Sequence, residues 1–156
     1  MNAIKFALAG AMMLLVCMLS MGTKAAVVSH DEGGLLTKYF RKYSEMRDRG
    51  ELVIIDGECI SACTLAIALL PPSKVCATPK GSFGFHSASF ETVDSRTHVK
   101  IFQDAPEMTR IMFDLYPGYV RARLAKLGWD GSQPHRELIF LKGTTVVRRC
   151  MPWDFL

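Results

Sequence analysis

Residues 52–86, LVIIDGECISACTLAIALLPPSKVCATPKGSFGFH, decide the fold of this chain. Residues 52–55 are apolar and mostly β-branched, and the turn-forming pair Asp56-Gly57 follows them. This pattern predicts a buried strand that ends at a turn. Residues 62–70 are almost wholly apolar and stand before two prolines, so they predict a buried helix that ends there.

Two further short strands are predicted after this helix, at 75–77 and 82–86. A strand, a helix and a following parallel strand form a right-handed crossover unit, so the sequence predicts a single-domain α/β fold. In that unit Ser61 precedes the helix and His86 ends the last strand. The hydroxyl and the imidazole would therefore lie at the same edge of the sheet, as a serine hydrolase requires.

Ser61 is a candidate nucleophile and His86 a candidate general base. The backbone N–H of Ala62 and one N–H of the Gly33-Gly34 turn are candidate donors for an oxyanion hole. Each of these residues also has a purely structural interpretation. Ser61 would then cap the helix, His86 would be a satisfied histidine at a strand end, and the glycines would form an ordinary turn.

The flanking sequence predicts several more elements. Apolar residues at spacings of three and four predict an amphipathic helix at 35–49, with Gly50 at its C-terminal end. The polar segment 87–103 predicts a hairpin or flap near the candidate site. Asp104 is the expected N-cap of a third helix, and a further helical segment is expected at 119–127.

The N-terminal residues 1–25 have the pattern of a secretory signal peptide. Lys5 gives a positive start, residues 6–21 are apolar, and small residues precede the expected cleavage site. The alternative is a retained membrane anchor, but the apolar run is shorter than the roughly 20 residues of a spanning helix. We therefore expect an exported domain at 26–156, periplasmic or secreted, with no stable membrane anchor after cleavage.

The charge of the expected mature chain excludes one class of partner. Loss of Lys5 and Lys24 would lower the basic count from 19 to 17, against 15 acidic residues, and the net charge from +4 to +2. So small a charge, without a clustered basic face, argues against nucleic-acid binding. We also expect no cofactor and no metal.

Four cysteines remain after the expected cleavage: Cys59, Cys63, Cys76 and Cys150. An even number in an exported domain favours two disulfides, for which there are three pairings. Pairing Cys76 with Cys150 and Cys59 with Cys63 would fasten the C-terminal tail to the core. The alternative is a zinc site built from Cys59, Cys63 and a histidine, whose cysteine spacing is unusual for zinc.

Three segments together resemble the core of the Clp protease/crotonase-like superfamily: Gly33-Gly34, VIIDGECISAC and PPSKVCATPKGSFGFH. The resemblance covers about residues 27–90 and is closest to a branch of exported bacterial proteins in that superfamily. In Clp-type serine peptidases a Gly-Gly turn precedes a helix and a strand, the nucleophilic serine opens the next helix, and the catalytic histidine follows it. Here Gly33 stands 28 residues before Ser61, and His86 stands 25 residues after it.

The resemblance implies a shortened Clp/crotonase-like domain with parallel strands and ββα crossover units. It implies that Ser61 is the nucleophile and His86 the general base. Ala62 and either Gly33 or Gly34 would form the oxyanion hole.

The resemblance also implies an acidic third member of a catalytic triad, in the C-terminal third of the chain. Glu137 is nearest to the expected place. Asp130 and Asp114 are the fallbacks.

We therefore expect an exported serine hydrolase, most closely a peptidase, with a peptide or protein substrate. One alternative is a catalytically inactive envelope protein that uses segment 87–103 to bind a protein partner. Another is acyl-thioester chemistry, which predicts an elongated apolar pocket beside Gly33-Gly34. Analogy with the superfamily also suggests a homo-oligomer.

Overall fold

The computed structural model of this protein describes residues 25–155. The expected signal peptide, 1–25, lies outside the described residues apart from Ala25, which begins the first strand. The described chain forms one small domain with a mostly parallel sheet and several helices. The predicted α/β class is therefore confirmed.

The described strands are short except for the second. They are β1 Ala25–Asp31, β2 Leu52–Ile60, β3 Val75–Ala77, β4 Ser82–Phe85, β5 Ser89–Val93, β6 Lys100–Asp104, β7 Ile139–Lys142 and β8 Arg148–Arg149. The described α-helices are α1 Leu36–Asp48, α2 Ala66–Leu69, α3 Pro106–Leu115 and α4 Gly118–Lys126. Single 3₁₀ turns occupy Ser61–Leu65, Pro72–Lys74, Gly143–Thr145 and Pro152–Phe155.

The long strand β2 is the centre of the sheet. Along one side it pairs in parallel with β1 from Leu52 to Cys59, with one irregularity. Along the other side it pairs in parallel first with β3, at residues 53–55, and then with β4, at residues 58–60. β8 extends the sheet parallel to β3, and β7 extends it antiparallel to β4. The end of β2 therefore lies directly beside β4.

The prediction that this strand ends at Asp56-Gly57 is wrong, because β2 continues to Ile60. The register between β1 and β2 is irregular between Val28 and His30, opposite this point. A Cβ atom on Gly57 would lie 1.7 Å from the carbonyl oxygen of Ser29. The glycine therefore permits a close approach of two backbones inside the sheet and does not mark a turn.

Replacing Gly57 with alanine is expected to lower the free energy of unfolding by about 3 kcal/mol, because the atom in conflict is backbone and cannot rotate away. Gly118→Ala is the matched control, since a Cβ there has no neighbour within 4 Å. In a helix that control should be neutral or stabilising by up to about 1 kcal/mol. Urea unfolding of both variants checks this, and equal stabilities would contradict the conflict at Gly57.

The amphipathic helix predicted at 35–49 is confirmed as α1. Tyr39, Tyr43 and Met46 are its buried residues, at the predicted spacings of three and four. Gly50 has a φ of 65° just beyond the helix, which is the left-handed conformation typical of a glycine at a helix C-terminus. This helix packs against the segment that follows β2.

Two details of the helix predictions are wrong. The helix expected at 62–70 is divided into a 3₁₀ turn and the short α2. Asp104 does not cap α3, where Ala105 occupies the cap position without a side-chain hydrogen bond. The Asp104 carboxylate instead accepts a 2.9 Å hydrogen bond from Arg136, which competes with capping.

The predicted hairpin at 87–103 and the second C-terminal helix are confirmed. β5 and β6 form a separate antiparallel pair, in which Ser89 is opposite Asp104 and Val93 is opposite Lys100. α4 begins directly after Pro117, which ends the preceding helical segment. The hairpin leaves the sheet immediately after β4, three residues beyond His86.

Both disulfides of the favoured pairing are present, Cys59–Cys63 and Cys76–Cys150. The zinc alternative is therefore wrong, because its two thiolates are consumed in the first of these bonds. Disulfides persist in non-reducing compartments. The folded protein is thus suited to a non-reducing environment.

Across residues 25–155, no helix is long and apolar enough to cross a membrane.

Candidate functional site

Ser61 lies at the end of β2, as the first residue of the 3₁₀ turn. Its φ is 57°, in the left-handed region that residues with a Cβ atom avoid. Ile60 occupies the helix-cap position, and the cap has no side-chain hydrogen bond. Ser61 therefore does not cap this segment, and its strained backbone marks a local constraint.

The Gly33-Gly34 turn contacts Ser61 directly. A Cβ atom on Gly33 would lie 2.7 Å from the Ser61 Cβ atom, 2.7 Å from the Ile60 carbonyl oxygen and 2.9 Å from the Ala62 nitrogen. Only a glycine, with its φ of 87°, allows this approach. The structure thus brings together the predicted nucleophile and the two predicted oxyanion segments.

The two glycines differ in what their N–H groups do. The Gly33 N–H donates a 2.9 Å hydrogen bond to Oδ1 of Asp31, so it is not available to a substrate. The Gly34 N–H makes no hydrogen bond to any described residue. Of the two alternatives for the second oxyanion donor, Gly34 is therefore the one that remains available.

Asp31 holds this turn in place, and sequence reasoning did not single it out. The Tyr39 hydroxyl also donates to its Oδ1, and the Lys42 ammonium lies 3.4 Å from Oδ2. Burial opposes ionisation of Asp31, but the hydrogen bonds from Tyr39 and Gly33 and the charge of Lys42 outweigh it, so the pKa is lowered. The available signal was an aspartate two residues before a glycine, which is typical of an Asx turn.

Replacing Asp31 with asparagine is expected to lower the free energy of unfolding at pH 7 by about 1 kcal/mol, through loss of charge-assisted hydrogen bonds. A lowered carboxyl pKa stabilises the fold above the ordinary value of 3.8, and this stabilisation is lost as the pH falls through the lowered pKa. The difference between variant and parent should therefore shrink below about pH 4. Urea unfolding at several pH values measures it.

Asp48→Asn is the matched control for Asp31, since the Asp48 side chain is 68% exposed and pairs with the adjacent Arg47. It should change the free energy of unfolding by less than about 0.5 kcal/mol at any pH. A constant difference between Asp31→Asn and the parent from pH 7 to pH 2 would contradict the role given to the Asp31 charge.

His86 follows the last residue of β4 and is partly buried. Its Nδ1 lies 2.7 Å from the carbonyl oxygen of Ser87. A carbonyl oxygen only accepts hydrogen bonds, so in the neutral imidazole Nδ1 is the protonated nitrogen and Nε2 the acceptor. The neutral tautomer that a general base needs is thereby fixed by a backbone group.

Ser87 is itself firmly held. Its N–H and its hydroxyl lie 2.8 and 2.9 Å from the His135 carbonyl oxygen, and its Oγ lies 3.0 Å from the His135 nitrogen. The carbonyl that orients His86 therefore belongs to an anchored segment of the chain.

The strand register places the two catalytic candidates on adjacent strands. Ile60 of β2 is opposite Gly84 of β4, so Ser61 and His86 follow the ends of neighbouring parallel strands. Throughout the described chain, no hydrogen bond joins the Ser61 hydroxyl to the His86 imidazole. The structure thus brings the predicted residues to one edge without linking their side chains.

The three predicted triad acids are not linked to His86 by a hydrogen bond or ion pair within residues 25–155. Glu137 is exposed, two residues beyond the His135 segment that holds Ser87. Asp130 accepts hydrogen bonds from the backbone and the hydroxyl of Ser132. Asp114 lies 3.8 Å from Arg121. The group that orients the imidazole is the Ser87 carbonyl.

Two further residues that the sequence did not indicate, Thr64 and Tyr116, hold the backbone of Ser61. The Thr64 hydroxyl donates a 2.6 Å hydrogen bond to the Ser61 carbonyl oxygen. The buried Tyr116 hydroxyl lies 2.6 Å from the same Thr64 oxygen and must donate to it, since the Thr64 proton is already used. No local pattern could have found a contact between residues 52 positions apart.

A cavity of about 180 Å³ opens beside His86. It is lined by His86, Ser87, Ser89, Phe102, Asp104 and Arg136. Phe102 and Asp104 belong to β6, so the hairpin forms one wall. The imidazole is therefore accessible to a small group that enters beneath the hairpin.

The site therefore consists of a strained serine, a histidine of fixed tautomer, an available glycine N–H and a small cavity, all at one edge of the sheet. Its chemistry is inferred from this geometry alone. No protein-family model matches this chain, and no curated protein matches it in sequence.

Proposed function

We propose that this protein is a serine hydrolase, most closely a peptidase, in which Ser61 is the nucleophile and His86 the general base. The observation that carries the proposal is the conformation of Ser61. A serine with a φ of 57° at the end of a central strand is costly, and strain of this kind clusters at active sites and ligand-binding sites. A tight strand-to-helix turn that exposes a serine is also how other hydrolases present their nucleophile.

The proposed reaction begins when Nε2 of His86 accepts the hydroxyl proton of Ser61. The Ser61 oxygen then attacks the acyl carbon of the substrate, and His86 passes the proton to the departing amine or alcohol. Water, deprotonated by the same nitrogen, later releases the acyl group from Ser61. The Ser87 carbonyl keeps Nδ1 protonated throughout, which is the orienting part of the role that a carboxylate has in a triad.

The negative charge that forms on the acyl oxygen needs two donors. The proposal assigns this role to the N–H groups of Ala62 and Gly34, which flank the contact between Gly33 and Ser61. In the free enzyme the hydroxyl and the imidazole are not bonded to each other. The proposal therefore requires the two side chains to come within hydrogen-bonding distance when substrate binds, and catalytic hydrogen bonds often tighten at that stage.

The proposal includes a place in the Clp/crotonase-like superfamily and export to the periplasm or the exterior. The order of the Gly-Gly turn, α1, β2, the serine and the histidine at the end of β4 supports the first. The two disulfides support the second.

The second candidate function is a catalytically inactive protein that binds a partner through the hairpin β5–β6. The observation that favours it is a set of apolar side chains, each 41–58% exposed, on this isolated two-stranded element. They are Phe90, Val93, Val99, Ile101 and Phe102. An exposed apolar group of this kind often marks an interaction surface.

Reaction with a fluorophosphonate separates the two candidates. The mature protein is incubated with the probe, digested, and the adduct is located by mass spectrometry. A single adduct on Ser61 is the result expected for a hydrolase. A well-folded protein that forms no adduct would overturn the hydrolase proposal in favour of the binding protein. An adduct on another residue would overturn the assignment of Ser61 as the nucleophile.

A further inference from the structure

The Cys59–Cys63 disulfide encloses the candidate nucleophile. Cys59 is the second-last residue of β2, and Cys63 is the third residue of the following 3₁₀ turn. The two cysteines are four positions apart, with Ser61 midway between them. Both are fully buried. The bond therefore joins the strand to the turn across Ser61, whose φ is 57°.

The Cys59–Cys63 disulfide constrains the unfolded chain less than the second disulfide does. A cross-link restricts the unfolded chain more when it closes a longer loop. This loop has a separation of only 4 residues, whereas Cys76–Cys150 has a separation of 74. The short bond must therefore act chiefly on the local conformation of the residues it encloses.

The contacts around Ser61 depend on its left-handed backbone conformation. The Gly33 backbone packs against the Ser61 Cβ atom and the Ala62 nitrogen, and Thr64 holds the Ser61 carbonyl oxygen at 2.6 Å. A return of Ser61 to a negative φ would redirect its side chain and its carbonyl together. Few noncovalent contacts hold Ser61 in this conformation. The disulfide, which fixes the chain on both sides of Ser61, is therefore the strongest constraint on it.

We propose that the Cys59–Cys63 disulfide is a positioning element that holds Ser61 in its left-handed conformation and so presents the hydroxyl for catalysis. The catalytic part of this inference rests on the proposed function. The conformational part does not, since it concerns the backbone of Ser61 alone.

The conformational part is tested with two substitutions, Ser61→Gly and Ser61→Ala, which both remove the hydroxyl. In the parent, Ser61→Gly should melt higher than Ser61→Ala by about 3 °C, because glycine adopts a positive φ without penalty. In a Cys59→Ala/Cys63→Ala background the order should reverse, because alanine is favoured at a relaxed, negative φ. In a Cys76→Ala/Cys150→Ala background the order should be that of the parent.

The catalytic part is tested by the rate of fluorophosphonate labelling. Loss of Cys59–Cys63 should slow labelling of Ser61 at least tenfold at a temperature where the variant is fully folded. Loss of Cys76–Cys150 should leave the labelling rate within about twofold, despite a larger drop in melting temperature. A second pair, Cys59→Val/Cys63→Ala, refills the buried volume and replaces the alanine pair if that pair does not fold.

The outcomes distinguish the two proposals. An unchanged order of Ser61→Gly and Ser61→Ala without the Cys59–Cys63 bond would overturn the positioning role, even if the parent is labelled. A reversed order in a protein that is never labelled would establish the positioning role and remove the hydrolase. We expect that loss of the Cys59–Cys63 bond reverses the melting order of Ser61→Gly and Ser61→Ala and also slows labelling of Ser61.

Discussion

Replacing Ser61 with alanine is expected to abolish fluorophosphonate labelling, because the probe reacts with an activated hydroxyl that alanine lacks. The free energy of unfolding should fall by less than about 1 kcal/mol, since the hydroxyl provides no helix cap. In-gel fluorescence and a urea unfolding curve, measured on the same preparation, separate these two effects. Labelling that persists in Ser61→Ala would show that another residue is the nucleophile.

His86→Ala tests the second half of the same site. Removal of a general base typically costs 10²–10⁴-fold in rate, so labelling of Ser61 should slow by at least about 100-fold. His98→Ala is the matched control, because His98 is an exposed histidine that does not line the cavity. In that variant Ser61 should be labelled at the rate of the parent. Equal rates in His86→Ala and the parent would leave Ser61 without a base.

Much of the fold was predictable because its signals are local. The spacing of Tyr39, Tyr43 and Met46 defines one face of α1, and a helical period is visible in any short window. The apolar residues 52–55 define a buried strand in the same way. The cysteine pairing named from the sequence is also the one observed, since four cysteines allow only three pairings.

The errors occur where a distant backbone decides the outcome. Asp56-Gly57 is a turn signal in isolation, but the carbonyl of Ser29 on β1 determines that the strand continues. No strand was predicted for β7 or β8, which have only four and two residues and which pair with β4 and β3. A sequence window contains no information about such partners.

The candidate site was likewise predictable in part. Ser61 and His86 could be proposed from their positions after predicted elements, because strand ends meet at one edge of a parallel sheet. The group that orients the His86 imidazole could not be proposed, because a carboxylate was expected there and the group is the Ser87 carbonyl. A backbone group has no residue type, so no sequence pattern distinguishes it. Asp31 and the Thr64–Tyr116 pair act through tertiary contacts and were missed for a similar reason.

Replacing both Cys76 and Cys150 with alanine is expected to lower the free energy of unfolding by about 4.5 kcal/mol, from the loop-closure entropy of so long a loop. Their separation of 74 residues includes the hairpin and the C-terminal helices. The bond fastens a tail whose own strand, β8, has only two residues. A decrease in melting temperature of about 15 °C should accompany the loss.

Cys59→Ala/Cys63→Ala is the matched control for this variant, because it also removes one disulfide and two sulfur atoms. Its loop has a separation of only 4 residues, for which the same entropy gives about 2 kcal/mol. Urea unfolding of both variants under oxidising conditions measures the difference. Equal losses would mean that loop length does not govern the Cys76–Cys150 bond. The tail would then be held by its noncovalent contacts with β3, which include the pairing of β8 and the 3.0 Å hydrogen bond that the Cys150 N–H donates to the Ala77 carbonyl oxygen.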